Sequence, residues 1–132
     1  MNDVLEQWLS NIEARLLSWQ HSRQVVVLYA ETSDGVAQYR MRVILLDGSL
    51  LQCVERVLQL SDGLFTEKYS FHWQRPDGSL ICRWDNAPHH LEIASFPHHL
   101  HESDEQHVLA HEAVDIFGVL ELMEQVLAEK AA

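Results

Sequence analysis

Four Asp-Gly dipeptides, Asp34-Gly35, Asp47-Gly48, Asp62-Gly63 and Asp77-Gly78, punctuate the middle of the chain, each between two strand-like runs with a period of two. Asp-Gly is among the strongest short-range hairpin signals, because a type I′ turn needs positive φ at both central residues. Four such turns between five runs predict an antiparallel meander. The expected strands are Gln24 to Thr32, Gln38 to Leu46, Leu50 to Leu60, Glu67 to Gln74 and Ser79 to Asp85.

Helical periodicity flanks the meander. Asp3 with Glu6 has the form of a capping box, and Leu5, Trp8, Leu9, Ile12, Leu16 and Trp19 follow at helical spacing. A second amphipathic helix begins at Asp115 and carries Ile116, Phe117, Leu120, Met123 and Leu127, with the tail from Lys130 expected to fray. The two N-terminal tryptophans read as core anchors. The expected fold is therefore α+β, one domain over residues 1–132, with a five-stranded antiparallel meander sheet and N- and C-terminal helices packed on one face.

If each Asp-Gly pair is a two-residue loop, the flanking residues pair outward from it, so Trp73 faces Cys82, Phe71 faces Trp84 and His72 faces Arg83. One sheet face then carries Met41, Val43, Leu45, Val54, Leu58, Tyr69, Phe71, Trp73, Leu80, Cys82 and Trp84, a core face for both helices. The other face is polar. Its expected rows read Arg40, Glu55, Ser70, Asp85 and then Arg42, Cys53, His72, Arg83, which suit either solvated ion pairs or the floor of a polar site.

Charge limits the partners. Twenty acidic against nine basic side chains give a net charge of −11, which argues against a general grip on nucleic acid while leaving room for a local basic patch. An acidic surface suits a basic protein partner. Cys53 and Cys82 lack any ligand spacing and read as reduced core thiols. No apolar run approaches the ~20 residues of a membrane helix, and no leader pattern is present, so the expected location is the cytoplasm, without membrane contact.

Eight of the nine histidines fall between His72 and His111. Three chemistries compete for this segment. A metal site needs three or four side chains around one point, and adjacent His-His pairs diverge along an extended backbone, so none is expected. Acid–base catalysis is the second, because two histidines and an arginine around one pocket suffice for metal-free RNA cleavage. The third is structural, with Asp85-Asn86 capping a turn and the histidines bonding loop backbone.

Tyr69-x-x-His72-x-Gln74, then Arg83-x-Asp85-Asn86-Ala87-Pro88-His89-His90, then Phe96-Pro97-His98-His99-x-His101 together resemble the TumE family of bacterial toxin–antitoxin toxins. The resemblance implies a small cytoplasmic toxin encoded beside an antitoxin with a helix-turn-helix DNA-binding domain. It implies no catalytic assignment. Taken with the convergence of His and Arg, it leads to an expected toxin of a type II module that acts on RNA or the ribosome. In that scheme His72 and one of His89, His90, His98 or His99 are acid and base, Arg83 stabilises the phosphorane and Asp85 orients a histidine. Arg40, Arg42, Tyr69 and Asn86 are the expected substrate contacts. The cognate antitoxin and a homo-oligomeric copy are the expected protein partners, with no cofactor and no resident metal. A binding module with a His-rich interaction loop and a metal-binding protein are the alternatives.

Overall fold

The computed structural model describes residues 3–131. Asp3, with extended backbone, accepts the Leu5 N–H at 2.9 Å and starts helix α1 (Val4–Ser18), whose Leu5, Leu9, Ile12 and Leu16 are buried. Each such side chain contributes about 1.5–3 kcal/mol of burial. Helix α2 (Ile116–Ala131) starts where the Asp115 side chain accepts the Gly118 N–H, and it buries Ile116, Val119, Leu120 and Met123 while Phe117 stays partly exposed. Rather than fraying, its last turn continues through Ala131; Ala132 lies outside the described residues. Trp19 is buried and donates its indole N–H to Glu124 of α2 at 2.9 Å, and Trp8 packs 5.7 Å from the Tyr39 ring. Both tryptophans anchor the core as expected.

Between the helices runs one antiparallel sheet in strict sequence order: β1 (Ser22–Ser33), β2 (Val36–Leu45), β3 (Leu50–Leu60), β4 (Gly63–Gln74), β5 (Leu80–Asp85), β6 (His99–Glu102) and β7 (Asp104–Ala110). The meander thus has seven strands, not five. The additional hairpin lies in the histidine-rich segment expected to be a loop, and its turn places Ser103 at φ 64° without a glycine.

The turns decide the register. Asp34-Gly35 is a two-residue loop between Ser33 and Val36, with φ of 50° and 76°, as type I′ requires. Asp47-Gly48 instead ends a three-residue loop: Leu45 N–H bonds the Ser49 carbonyl at 2.9 Å, and Gly48 sits at φ 86°. Leu60 pairs with Gly63, so the third loop is Ser61-Asp62. The longer second loop moves the pairing by one residue; the displaced third loop moves it by two and a bulge between Arg56 and Val57 returns one, so each side of β3 slips by a net one residue, which exchanges the faces of a strand.

β3 is therefore flipped relative to expectation. Cys53 and Glu55 point into the core, whereas Val54 and Leu58 lie half-buried on the opposite face. Because the two slips cancel across β3, β2 and β4 keep their expected alignment. The fourth hairpin also has a three-residue loop, but a bulge after Trp73 restores Trp73–Cys82, His72–Arg83 and Phe71–Trp84.

The core-facing Glu55 is buried, accepts the Tyr39 hydroxyl at 2.5 Å and reaches the Ile116 N–H at the start of α2. Burial, reinforced by Asp115, raises its pKa to about 7 against the lowering effect of those two hydrogen bonds. Both cysteines are free and buried, and burial pushes the Cys82 thiol up to about 11.

Candidate functional site

The sheet face away from the helices holds an open groove of about 600 Å³. Its floor is built by two rows of register partners, Arg40–Val54–Ser70–Asp85–His99 and Gln52–His72–Arg83–His101. Residues two apart on a strand share a face, so His99 and His101 of β6 continue the rows begun by Asp85 and Arg83 of β5. One wall comes from the segment between β5 and β6. Asp85 Oδ1 accepts the Ala87 N–H at 3.0 Å, turning the chain back so that His89 and His90 overhang the floor. Lys68 and Glu105 complete the rim.

Asp85 is the hub. Its buried carboxylate lies 2.9 Å from His99 Nε2, 3.6 Å from His101 Nε2 and 3.1 Å from Arg83 Nε. The Arg83 guanidinium also engages the exposed Glu105 carboxylate, at 2.9 Å through one terminal nitrogen and 2.7 Å through the other. The rings of His90, His99 and His101 form a triangle with centroids 4.8–5.9 Å apart.

Burial, followed by the charge of Arg83, lowers the pKa of His72. Burial is also the main cause of the lowering at His101, where Arg83 and His99 add to it. Both rings are accordingly neutral at pH 7, the form that can accept a proton.

Of the side chains singled out in the sequence, His72, Arg83, Asp85, His89, His90, His99 and Arg40 meet in this groove. Tyr69 borders it with its ring packed between Phe71 and His98, and burial raises its hydroxyl to about 12. His98 points away from its neighbour His99 and bonds the Tyr69 hydroxyl at 2.8 Å. Arg42 is not among the groove residues. Asn86 spends its amide on β4, accepting the Tyr69 N–H at 3.0 Å and donating to the Glu67 carbonyl at 3.2 Å.

The structure adds His101, Lys68 and Glu105. The i, i+2 spacing of His99 and His101 was the available signal for the first, given a strand there. Three of the chain's nine Lys and Arg side chains, Arg40, Lys68 and Arg83, line the groove beside the carboxylates of Asp85 and Glu105, so the groove does not share the acidic excess of the chain as a whole.

No curated protein and no solved structure shows significant similarity to the chain. The family model described as Toxin TumE matches residues 11–132, from the middle of α1 through all seven strands and α2. That match spans the whole groove, and the chain belongs to the TumE toxin family.

Proposed function

We propose that this protein is the toxin of a type II toxin–antitoxin module, that it acts in the cytoplasm on RNA, and that the groove takes a phosphodiester. The observation that carries the proposal is the meeting of His72 with Arg83, as register partners, on a floor walled by histidines and rimmed by Arg40 and Lys68. Neutral His72 removes the 2′-hydroxyl proton. Arg83 leaves the exposed Glu105 and stabilises the charge on the phosphorane. A histidine of the opposite wall, of which His89 is exposed, protonates the leaving 5′-oxygen. A basic helix-turn-helix antitoxin matches the acidic remainder of the surface.

Induced expression tests this directly. Wild-type protein should arrest growth, and both His72→Ala and Arg83→Ala should relieve the arrest while retaining native circular dichroism. Arrest that persists in both folded variants overturns the assignment of this groove.

A further inference from the structure

His90, His99 and His101 hold their ring nitrogens in a pattern that hydrogen bonding within the protein does not exhaust. In each ring Nδ1 already has an acceptor: the Pro97 carbonyl at 2.9 Å for His99, the Glu105 carbonyl at 2.7 Å for His101 and the Glu92 carboxylate at 3.2 Å for His90. A carbonyl or carboxylate oxygen can only accept, so all three Nδ1 atoms carry the proton and Nε2 is left as the lone-pair nitrogen. For His99 that lone pair faces the buried Asp85 carboxylate at 2.9 Å, whereas His101 Nε2 lies 3.6 Å from the same carboxylate and 3.3 Å from the Arg83 guanidinium, which can donate to it. Arg83 serves Asp85 Oδ2 and His101 Nε2, so the buried contact of His99 Nε2 with Asp85 Oδ1 is the one that sets acceptor against acceptor and calls for a positive charge between them.

Three clustered imidazoles with Nδ1 held by an oxygen resemble metal-ligating histidines, whose second nitrogen is held by a carbonyl or carboxylate. We infer that His90, His99 and His101 bind a divalent transition-metal ion of the zinc type, with Asp85 supplying negative charge beside it. The three candidate ligand atoms lie within 4.8 Å of one another. A point common to atoms that close is at most about 2.8 Å from each, against about 2.0–2.1 Å for a zinc–nitrogen bond, so ring movements of under ~1 Å close the site.

The backbone supports the same assignment. His90 sits at φ 59°, a left-handed conformation that is unfavourable for a non-glycine residue, and its ring stands 5.3 Å from that of His99 and 5.9 Å from that of His101. The divergence of adjacent histidines, which argued against a metal, holds for His98 and His99. It does not prevent the site, because the three ligands come from two alternate positions of β6 and one position in the preceding segment. Three protein ligands leave a coordination position open, and in this groove a phosphate oxygen is the chemistry that suits it. His72 and His89 remain as imidazoles outside the ligand set.

The test uses the untagged full-length protein, stripped with a chelator and dialysed, then titrated calorimetrically with zinc chloride and, separately, with cobalt chloride followed by visible absorption. One ion per chain is expected, with the intense visible bands of four-coordinate cobalt. His90→Ala, which removes a partly exposed side chain, should weaken zinc binding at least tenfold, as should His99→Gln. His107→Ala with His111→Ala, outside the triangle, should leave it unchanged. Zinc binding that is absent, or equally strong in His90→Ala and His99→Gln, overturns the site. The inference shares its groove with the proposed phosphodiester chemistry, yet the titration contains no RNA. Failure of metal binding therefore leaves the RNA assignment standing, and an inactive protein that binds zinc leaves the metal site standing.

Discussion

Asp85 Oδ1 lies 2.9 Å from His99 Nε2, and the two residues are register partners across β5 and β6, so the carboxylate that orients the groove histidines also fastens the unexpected hairpin to the sheet. Asp85 is buried, accepts the Ala87 N–H and meets Arg83 as well. Asp85→Asn removes the carboxylate charge and replaces one acceptor oxygen with a donor, while the Ala87 N–H and Arg83 Nε still donate to this position. It should cost about 1–3 kcal/mol, measured as a lower urea midpoint at pH 7. An unchanged midpoint would remove Asp85 from this role.

Arg83 and Glu105 make a two-contact ion pair, but the Glu105 side chain is 50% exposed and Arg83 is 28% exposed. Exposed pairs of this kind contribute less than about 1 kcal/mol. Glu105→Ala should therefore change the unfolding midpoint little and leave growth arrest intact, because it frees the guanidinium for phosphate. Loss of arrest in a stable Glu105→Ala protein would give the pair a functional role that the proposed chemistry does not assign to it.

Asn86 acts on β4 as an extra strand would, satisfying the Tyr69 N–H and the Glu67 carbonyl just beyond the end of β5. Glu67 falls at the irregularity in the β3–β4 register, where the ladder alone leaves its backbone unpaired. Asn86→Ala should cost about 1–2 kcal/mol by denaturant unfolding and retain arrest at permissive temperature. Full stability with arrest abolished would make Asn86 a substrate contact instead.

Glu55 gives the fold a pH dependence whose sign is fixed. Its carboxyl has an ordinary value of 4.5 and a folded value of about 7, raised chiefly by burial, so between those limits the folded protein binds more protons than the unfolded chain. Stability from this group is full below pH 4.5 and falls as pH rises toward 7, by on the order of 3 kcal/mol at most. Glu55→Gln keeps an acceptor for Tyr39 and Ile116 and removes the titration. Urea midpoints at pH 5 and pH 7.5 should therefore differ less in Glu55→Gln than in the wild type; equal differences contradict the buried carboxyl.

The hairpins were legible because Asp-Gly marks a chain reversal whatever its loop length. The register of β3 was not. Its two faces, Leu51, Cys53 and Val57 on one side and Leu50, Val54 and Leu58 on the other, are both apolar, so alternation gives no preference between them. The Trp73–Cys82 hairpin was assigned correctly because a bulge offset the longer loop. β6 and β7 carry little strand signal, because His99-Leu-His-Glu and Asp104-Glu-Gln-His are poor in β-branched residues and meet at Ser103, without glycine. His101 was not legible for the same reason, since its place beside Arg83 depends on β6 being a strand. His72, Arg83 and Asp85 were legible together since one hairpin fixes all three.

The central claim is that the groove cleaves RNA. Purified wild-type protein and His72→Ala protein, each in excess over total cellular RNA and assayed with and without ribosomes, test it most directly. The account predicts fragments ending in 2′,3′-cyclic phosphate and 5′-hydroxyl from the wild type, and none from folded His72→Ala. RNA left intact by the wild type in both settings, or cut equally by the variant, would contradict it.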